Sequence, residues 1–256
     1  MPEICALVDY DNQRLGVFRS GRHGATRASF RDHQDYLQAL IKGLLDYRTH
    51  PSHRIAGKFA ELRIRLYGGW LDAQGQLTEM ADMVVAAIAN IGRTRRVRNT
   101  RLFLELADRL LCMESEVFPD TFRKAPWLGA RLRGFQLPSR CVNKPTCHLV
   151  EAALSWAGGR CPERKYCNAH TEDVFLVESQ KLVDTMITSD AFLAHYKRSD
   201  EILTVSMDDD LVPGVLAVAS MQGPVAILRF GKVNAGAYDR LLSQHGVPVV
   251  DYPALG

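Results

Sequence analysis

Ser206-Met207-Asp208-Asp209-Asp210-Leu211-Val212-Pro213 is preceded by the short apolar run Ile202–Val205 and followed by a second apolar stretch. The first run reads as a buried strand. Pro213 and the residues after it read as the start of a helix, over 212–220. Three adjacent carboxylates at the C-terminal end of a strand repel one another unless a positive partner sits among them. In an open parallel sheet that end of the strand is where ligands bind. A hard cation such as Mg²⁺ or Mn²⁺ prefers oxygen ligands and would satisfy the arrangement. A solvated acidic turn that caps a helix accounts for the same residues, because Asp suits an N-cap.

A second strand shifts the balance. Ile4–Val8 is apolar and ends in Asp9-Tyr10-Asp11-Asn12. In a parallel sheet the C-terminal ends of strands 4–8 and 202–205 lie on one edge, so Asp9 and Asp208 can converge. Residues 172–196 read as one helix that carries Lys181 and Asp184, and Asp184 is a candidate third ligand. Asp190 lies about 240° further round such a helix and should face away from Asp184.

The remaining pattern alternates strands and helices. Apolar spacing predicts a helix over 32–47, through Tyr36, Leu37, Leu40, Ile41, Leu44 and Leu45, and another over 78–91. Strands are expected over 62–67, 102–106, 225–230 and 247–250, with a helix over 235–243. Such alternation argues for a three-layer α/β/α domain with a mainly parallel sheet. The whole chain, 1–256, is expected to form that one domain.

Positive charge is concentrated in two segments. No acidic residue occurs over 13–31, where Arg14, Arg19, Arg22, Arg27 and Arg31 stand with three glycines. Arg93, Arg95, Arg96, Arg98 and Arg101 form the second group. Both suit phosphate binding, and both would also suit solvated surface. Over 119–138, Arg123, Lys124, Arg131 and Arg133 interleave with Phe122, Trp127 and Phe135, a weaker sign of nucleic acid.

Four of the six cysteines fall in two pairs of equal spacing, Cys141/Cys147 and Cys161/Cys167, with His148 and His170 nearby. Thiolates grouped in this way suit a tetrahedral structural Zn²⁺, although five residues within each pair exceeds the usual spacing. The segment 139–171 therefore reads as a zinc-binding insertion, and ordinary buried thiols are the competing explanation. Cys5 and Cys112 lie in apolar runs and read as core. Hydrophobic residues make up 46% and charged residues 24% of the chain, and the net charge is +3, so whole-chain charge selects no partner. No apolar run is long enough to span a membrane, and Met1-Pro2-Glu3 does not open a signal peptide, so a cytoplasmic protein with reduced cysteines is expected.

Several segments resemble one family in order along the chain. Leu7-Val8-Asp9-Tyr10-Asp11-Asn12 looks like the opening strand of NYN domains, which are PIN-like nucleases. Arg65-Leu66-Tyr67-Gly68-Gly69-Trp70 resembles their second strand, and Lys181-Leu182-Val183-Asp184 their lysine-to-aspartate motif. The stretch 203–213 is similar to their last acidic motif. The resemblance implies a PIN-like fold and metal-dependent hydrolysis of phosphodiesters. The expected partner is nucleic acid, with RNA favoured over DNA. It implies Asp9, Asp184, Asp208 and Asp210 as Mg²⁺ or Mn²⁺ ligands, and Asn12 as a residue that orients Asp9 or meets the scissile phosphate. Lys181 would pair with a phosphate or steady Asp184, and the arginines at 14–31 and 93–101 would follow the backbone. A homodimer is an open option. Two other readings compete. One is a non-catalytic nucleic-acid-binding module stapled by zinc. The other is a haloacid-dehalogenase-like phosphatase built on Asp9 and Asp11, although Gln13 stands where such enzymes carry Thr or Val.

Overall fold

All residues from Ile4 to Val8 are buried, whichever side they point to. A strand apolar on both faces must lie inside a sheet that is covered on both sides. The computed structural model describes residues 1–11, 29–50, 58–113, 115–119, 121–126, 165–166, 168, 176–180, 182–231 and 236–252. Its elements in chain order are β1 (Glu3–Asp9), α1 (Phe30–Thr49), β2 (Ala60–Tyr67), α2 (Glu79–Ile91), β3 (Thr94–Val97) and β4 (Thr100–Leu106). There follow β5 (Phe122–Pro126), β6 (Leu176–Gln180), α3 (Val183–Tyr196), β7 (Glu201–Val205) and a single 3₁₀ turn, Asp209–Leu211. The chain continues with α4 (Val212–Ser220), β8 (Val225–Phe230), α5 (Asp239–Gln244) and β9 (Val249–Tyr252).

Seven strands form one sheet in the order β3-β4-β2-β1-β7-β8-β9. All neighbours run parallel except β3, which returns antiparallel along β4. Alternation along β1 divides the core into two. Ile4, Ala6, Val8 and Tyr10 pack with Tyr36, Leu37, Leu40 and Leu44 of α1 and with Val84 and Ile88 of α2. Cys5 and Leu7 pack with Val183 and Ile187 of α3 and Val215 of α4. Helices therefore cover both faces, as expected of an α/β chain with a mainly parallel sheet.

By its contacts the chain divides into two compact units, Met1–Phe122 with Gln180–Gly256, and Arg123–Ser179. The first unit holds the seven-stranded sheet. The second holds most of β5 and β6, which pair as a two-stranded sheet. The candidate zinc residues Cys141, Cys147, Cys161, Cys167, His148 and His170 lie outside the described residues.

Two expectations need correction. Cys5 is buried as expected, but Cys112, read as core, is exposed. Residues 172–196 do not form a single helix: Leu176–Gln180 is a strand, and the helix begins only at Val183. Leu182 separates the two with a left-handed backbone, φ 67°, which a continuing helix cannot contain. The second basic segment also differs from a plain surface run, since Thr94–Val97 is an edge strand. Among the described residues no helix is long and apolar enough to cross a membrane.

Candidate metal centre

β1 pairs with β2 on one side and with β7 on the other. The strand order thus reverses at β1, and the crevice outside the C-terminal ends of β1 and β7 is the switch point where open α/β sheets bind ligands. Asp9 is the last residue of β1, and Val8 stands opposite Val205 in the ladder. Ser206 is therefore next to Asp9, on the face covered by α3 and α4. Its hydroxyl donates to Asp9 Oδ2 at 3.0 Å and accepts the Asp208 backbone N–H at 3.0 Å. Asp208 in turn caps the 3₁₀ turn, because its Oδ1 accepts from the Asp210 N–H at 3.0 Å. One buried hydroxyl thus fixes the strand end that carries Asp9 to the turn that carries Asp208.

The third carboxylate arrives from α3. Asp184 lies in the first turn of that helix, two residues after the left-handed Leu182. A non-glycine residue in this region is strained, and such strain persists only where the surroundings impose it. One oxygen from each of Asp9, Asp184 and Asp208 lies within 4.8 Å of the other two. Asp9 is fully buried; Asp184 and Asp208 are half-buried. Asp184 Oδ1 is buried with no hydrogen-bond partner. Burial, and then the charges of Asp208 and Asp210, raise the Asp184 carboxyl above the ordinary carboxylate range. Three converging carboxylates with a desolvated, unpartnered oxygen form a donor set that fits a hard divalent cation.

The other expected residues are placed as follows. Asp210 is exposed and outside the trio, though its charge reaches Asp184. Asp209 is exposed. Asp11 turns to the end of β2, where its Oδ2 accepts from the Gly69 N–H at 3.0 Å. Asp190 belongs to a separate buried network: it accepts from the Tyr67 hydroxyl at 2.6 Å and the Leu111 N–H at 2.8 Å, with Arg65 Nε 3.4 Å away. Asn12, Arg14, Arg19, Arg22 and Lys181 lie outside the described residues.

Arg95, Arg96 and Arg98 are not brought to the carboxylates. They occupy the hairpin that joins β3 to β4, at the N-terminal end of the parallel strands. β4 separates that hairpin from the carboxylate edge by its own length, roughly 20 Å. Ser206 is the residue of this site that sequence reasoning missed. Alternation along β7 gives the face that Ser206 takes, but the residue it meets follows only from the register of β7 on β1.

Comparisons with protein-family models, with curated proteins and with solved structures found no match.

Proposed function

We propose that this protein is a metal-dependent nuclease of the NYN/PIN-like type, most simply an endoribonuclease. The observation that carries the reading is the meeting of Asp9, Asp184 and Asp208 at the switch point of the sheet. These three side chains would hold Mg²⁺ or Mn²⁺, with Asp210 adding negative charge nearby. The bound ion would acidify a coordinated water into a nucleophile at neutral pH and offset charge on the phosphate in the transition state.

The chain's own residues prepare that chemistry. Ser206 holds Asp9 and Asp208 in fixed relation, so little reorganisation is needed when a substrate arrives. Burial of Asp9 and of Asp184 Oδ1 strengthens their attraction for a cation. No serine, cysteine or histidine nucleophile is required, because the attacking group is water. On the family resemblance, Asn12 would orient Asp9 or meet the scissile phosphate, Lys181 would pair with a phosphate, and Arg14, Arg19 and Arg22 would contact the nucleic-acid backbone. RNA is the proposed substrate in preference to DNA. A structural Zn²⁺ on Cys141, Cys147, Cys161 and Cys167, with His148 or His170 as a substitute ligand, completes the proposal, and a reducing cytoplasmic setting suits those thiols.

The test is cleavage of labelled single-stranded RNA and DNA with Mn²⁺ or Mg²⁺, comparing the native chain with Asp208→Asn. We expect metal-dependent cutting that falls by at least about 10²-fold in the variant, since the substitution keeps the shape of the side chain and removes one ligand charge. No cutting by the native chain, together with tight RNA binding, would replace this reading with the binding module. A covalent aspartyl-phosphate on Asp9 would replace it with the phosphatase.

A further inference from the structure

We infer that an arginine–phenylalanine patch on β2, β3 and β4 is a second contact surface for single-stranded RNA. Its role as a substrate-holding surface rests on the nuclease reading; its binding does not. The ladders place the patch. Cys5 of β1 is opposite Arg63 of β2, and Arg63 is opposite Phe103 of β4. Arg101 of β4 is opposite Arg96 of β3. Alternation puts Arg63, Arg96, Arg101 and Phe103 on the same face of the sheet as Asp9, toward the other end of the strands.

Three features set the patch apart from a solvated edge. First, the guanidinium groups lie over rings: Arg96 is 5.0 Å from the centre of Phe59, and Arg101 and Arg63 are 4.7 and 5.9 Å from that of Phe103. A flat cation over an aromatic ring is the surface on which bases stack and phosphates find donors. Second, Arg96 and Arg101 are paired directly across the strands, and like charges in that position destabilise a sheet. Among the described residues no carboxylate forms an ion pair with Arg63, Arg95, Arg96, Arg98 or Arg101. Glu61, opposite Arg101, and Glu3, opposite Glu61, are two negative charges on this face against Arg63, Arg96 and Arg101. Third, Arg98 sits at the hairpin tip with φ 52°, where glycine would be free of strain. A polyanion would relieve the repulsion between Arg96 and Arg101 and give Arg98 a partner. The guanidinium groups over the rings offer flat cationic planes rather than apolar wedges, which suits a stacked polyanionic strand better than insertion into a lipid surface.

The test measures binding of a labelled single-stranded RNA of about 16 nucleotides. It uses the full chain in an Asp208→Asn background, with the RNA checked for integrity. Replacing Arg96→Gln, Arg98→Gly and Arg101→Gln together should weaken binding at least 10-fold. The slope of log K against log salt should become shallower by about 2, since each phosphate contact on a single strand contributes about 0.7. Arg98→Gly alone should weaken binding without lowering Tm, because glycine relieves the backbone; a purely structural arginine would show the opposite. Phe59→Leu should weaken binding with little change in the salt slope. Unchanged affinity and slope in the triple variant would overturn the inference. So would a native chain that ignores RNA but binds anionic vesicles or an acidic peptide. Cutting by the native chain, with binding unaltered in the triple variant, removes only this inference. Weakened binding in the triple variant, with no cutting by the native chain, removes only the nuclease reading.

Discussion

Asp184 is held in a conflict that the surrounding residues do not resolve. Its Oδ1 is buried without a partner, and the charges of Asp208 and Asp210 bear on it. In the unfolded chain it ionises near 3.8; in the folded chain burial and like charge push that point higher. Its contribution to stability is therefore complete below pH 3.8 and declines as pH rises through the folded value. Asp184→Asn removes the cost. Without divalent ions at pH 7 the variant should melt a few degrees above the native chain, and the gap should shrink as pH falls toward 3.8. Mn²⁺ should reverse the order, because the native chain gains a ligand-linked stabilisation that the variant loses. A thermal melt with and without Mn²⁺ checks both signs; equal Mn²⁺ shifts would remove Asp184 from the ligand set. Ser206→Ala removes one hydrogen bond from Asp9 Oδ2 and one from the Asp208 N–H. It should cost about 1–3 kcal/mol in urea unfolding. Asp9 and Asp208 were legible in the sequence because each ends an apolar run. Ser206 was not, because serine after a strand is an ordinary turn residue and its partner is visible only in the register.

Among the elements, α3 decides whether the third carboxylate reaches the other two. It is packed tightly against α4: a Cβ added at Gly214 would lie 2.8 Å from Thr188 Cγ2 and 2.9 Å from its Oγ1. Such contacts force a shift, so Gly214→Ala should destabilise the fold by about 1–3 kcal/mol and weaken Mn²⁺ binding as α3 moves. Thr188→Ala removes both clashing atoms and should restore most of each loss in a double-mutant cycle. Additive losses would show that this contact does not set the position of α3. The length of α3 was misread from sequence for a related reason. The run Leu176–Gln180 is two apolar residues followed by three polar ones and matches neither period, and the decisive break is a backbone angle at Leu182 that leucine rarely adopts. The strand β3 was hidden because arginine is a poor marker of a strand.

Across the whole molecule, β1 is the keystone, paired with β2 from the first half of the chain and β7 from the second. A fragment covering 1–122 would expose Cys5 and Leu7 and leave β1 as a bare edge. It should be unfolded by circular dichroism and by amide dispersion. A well-dispersed spectrum would contradict this dependence on β7. The parallel arrangement was legible because strands that are apolar on both faces alternate with amphipathic helices. The strand order was not, since it depends on which crossover turns back at β1. The division of the chain carries one more consequence. The Arg123–Ser179 unit is entered through β5 and left through β6, and these two strands pair with each other. A segment whose two ends meet is a cassette: it can be gained, lost or exchanged in descent while the rest of the chain keeps its frame. Its exit strand ends at Gln180, four residues before Asp184 in the chain.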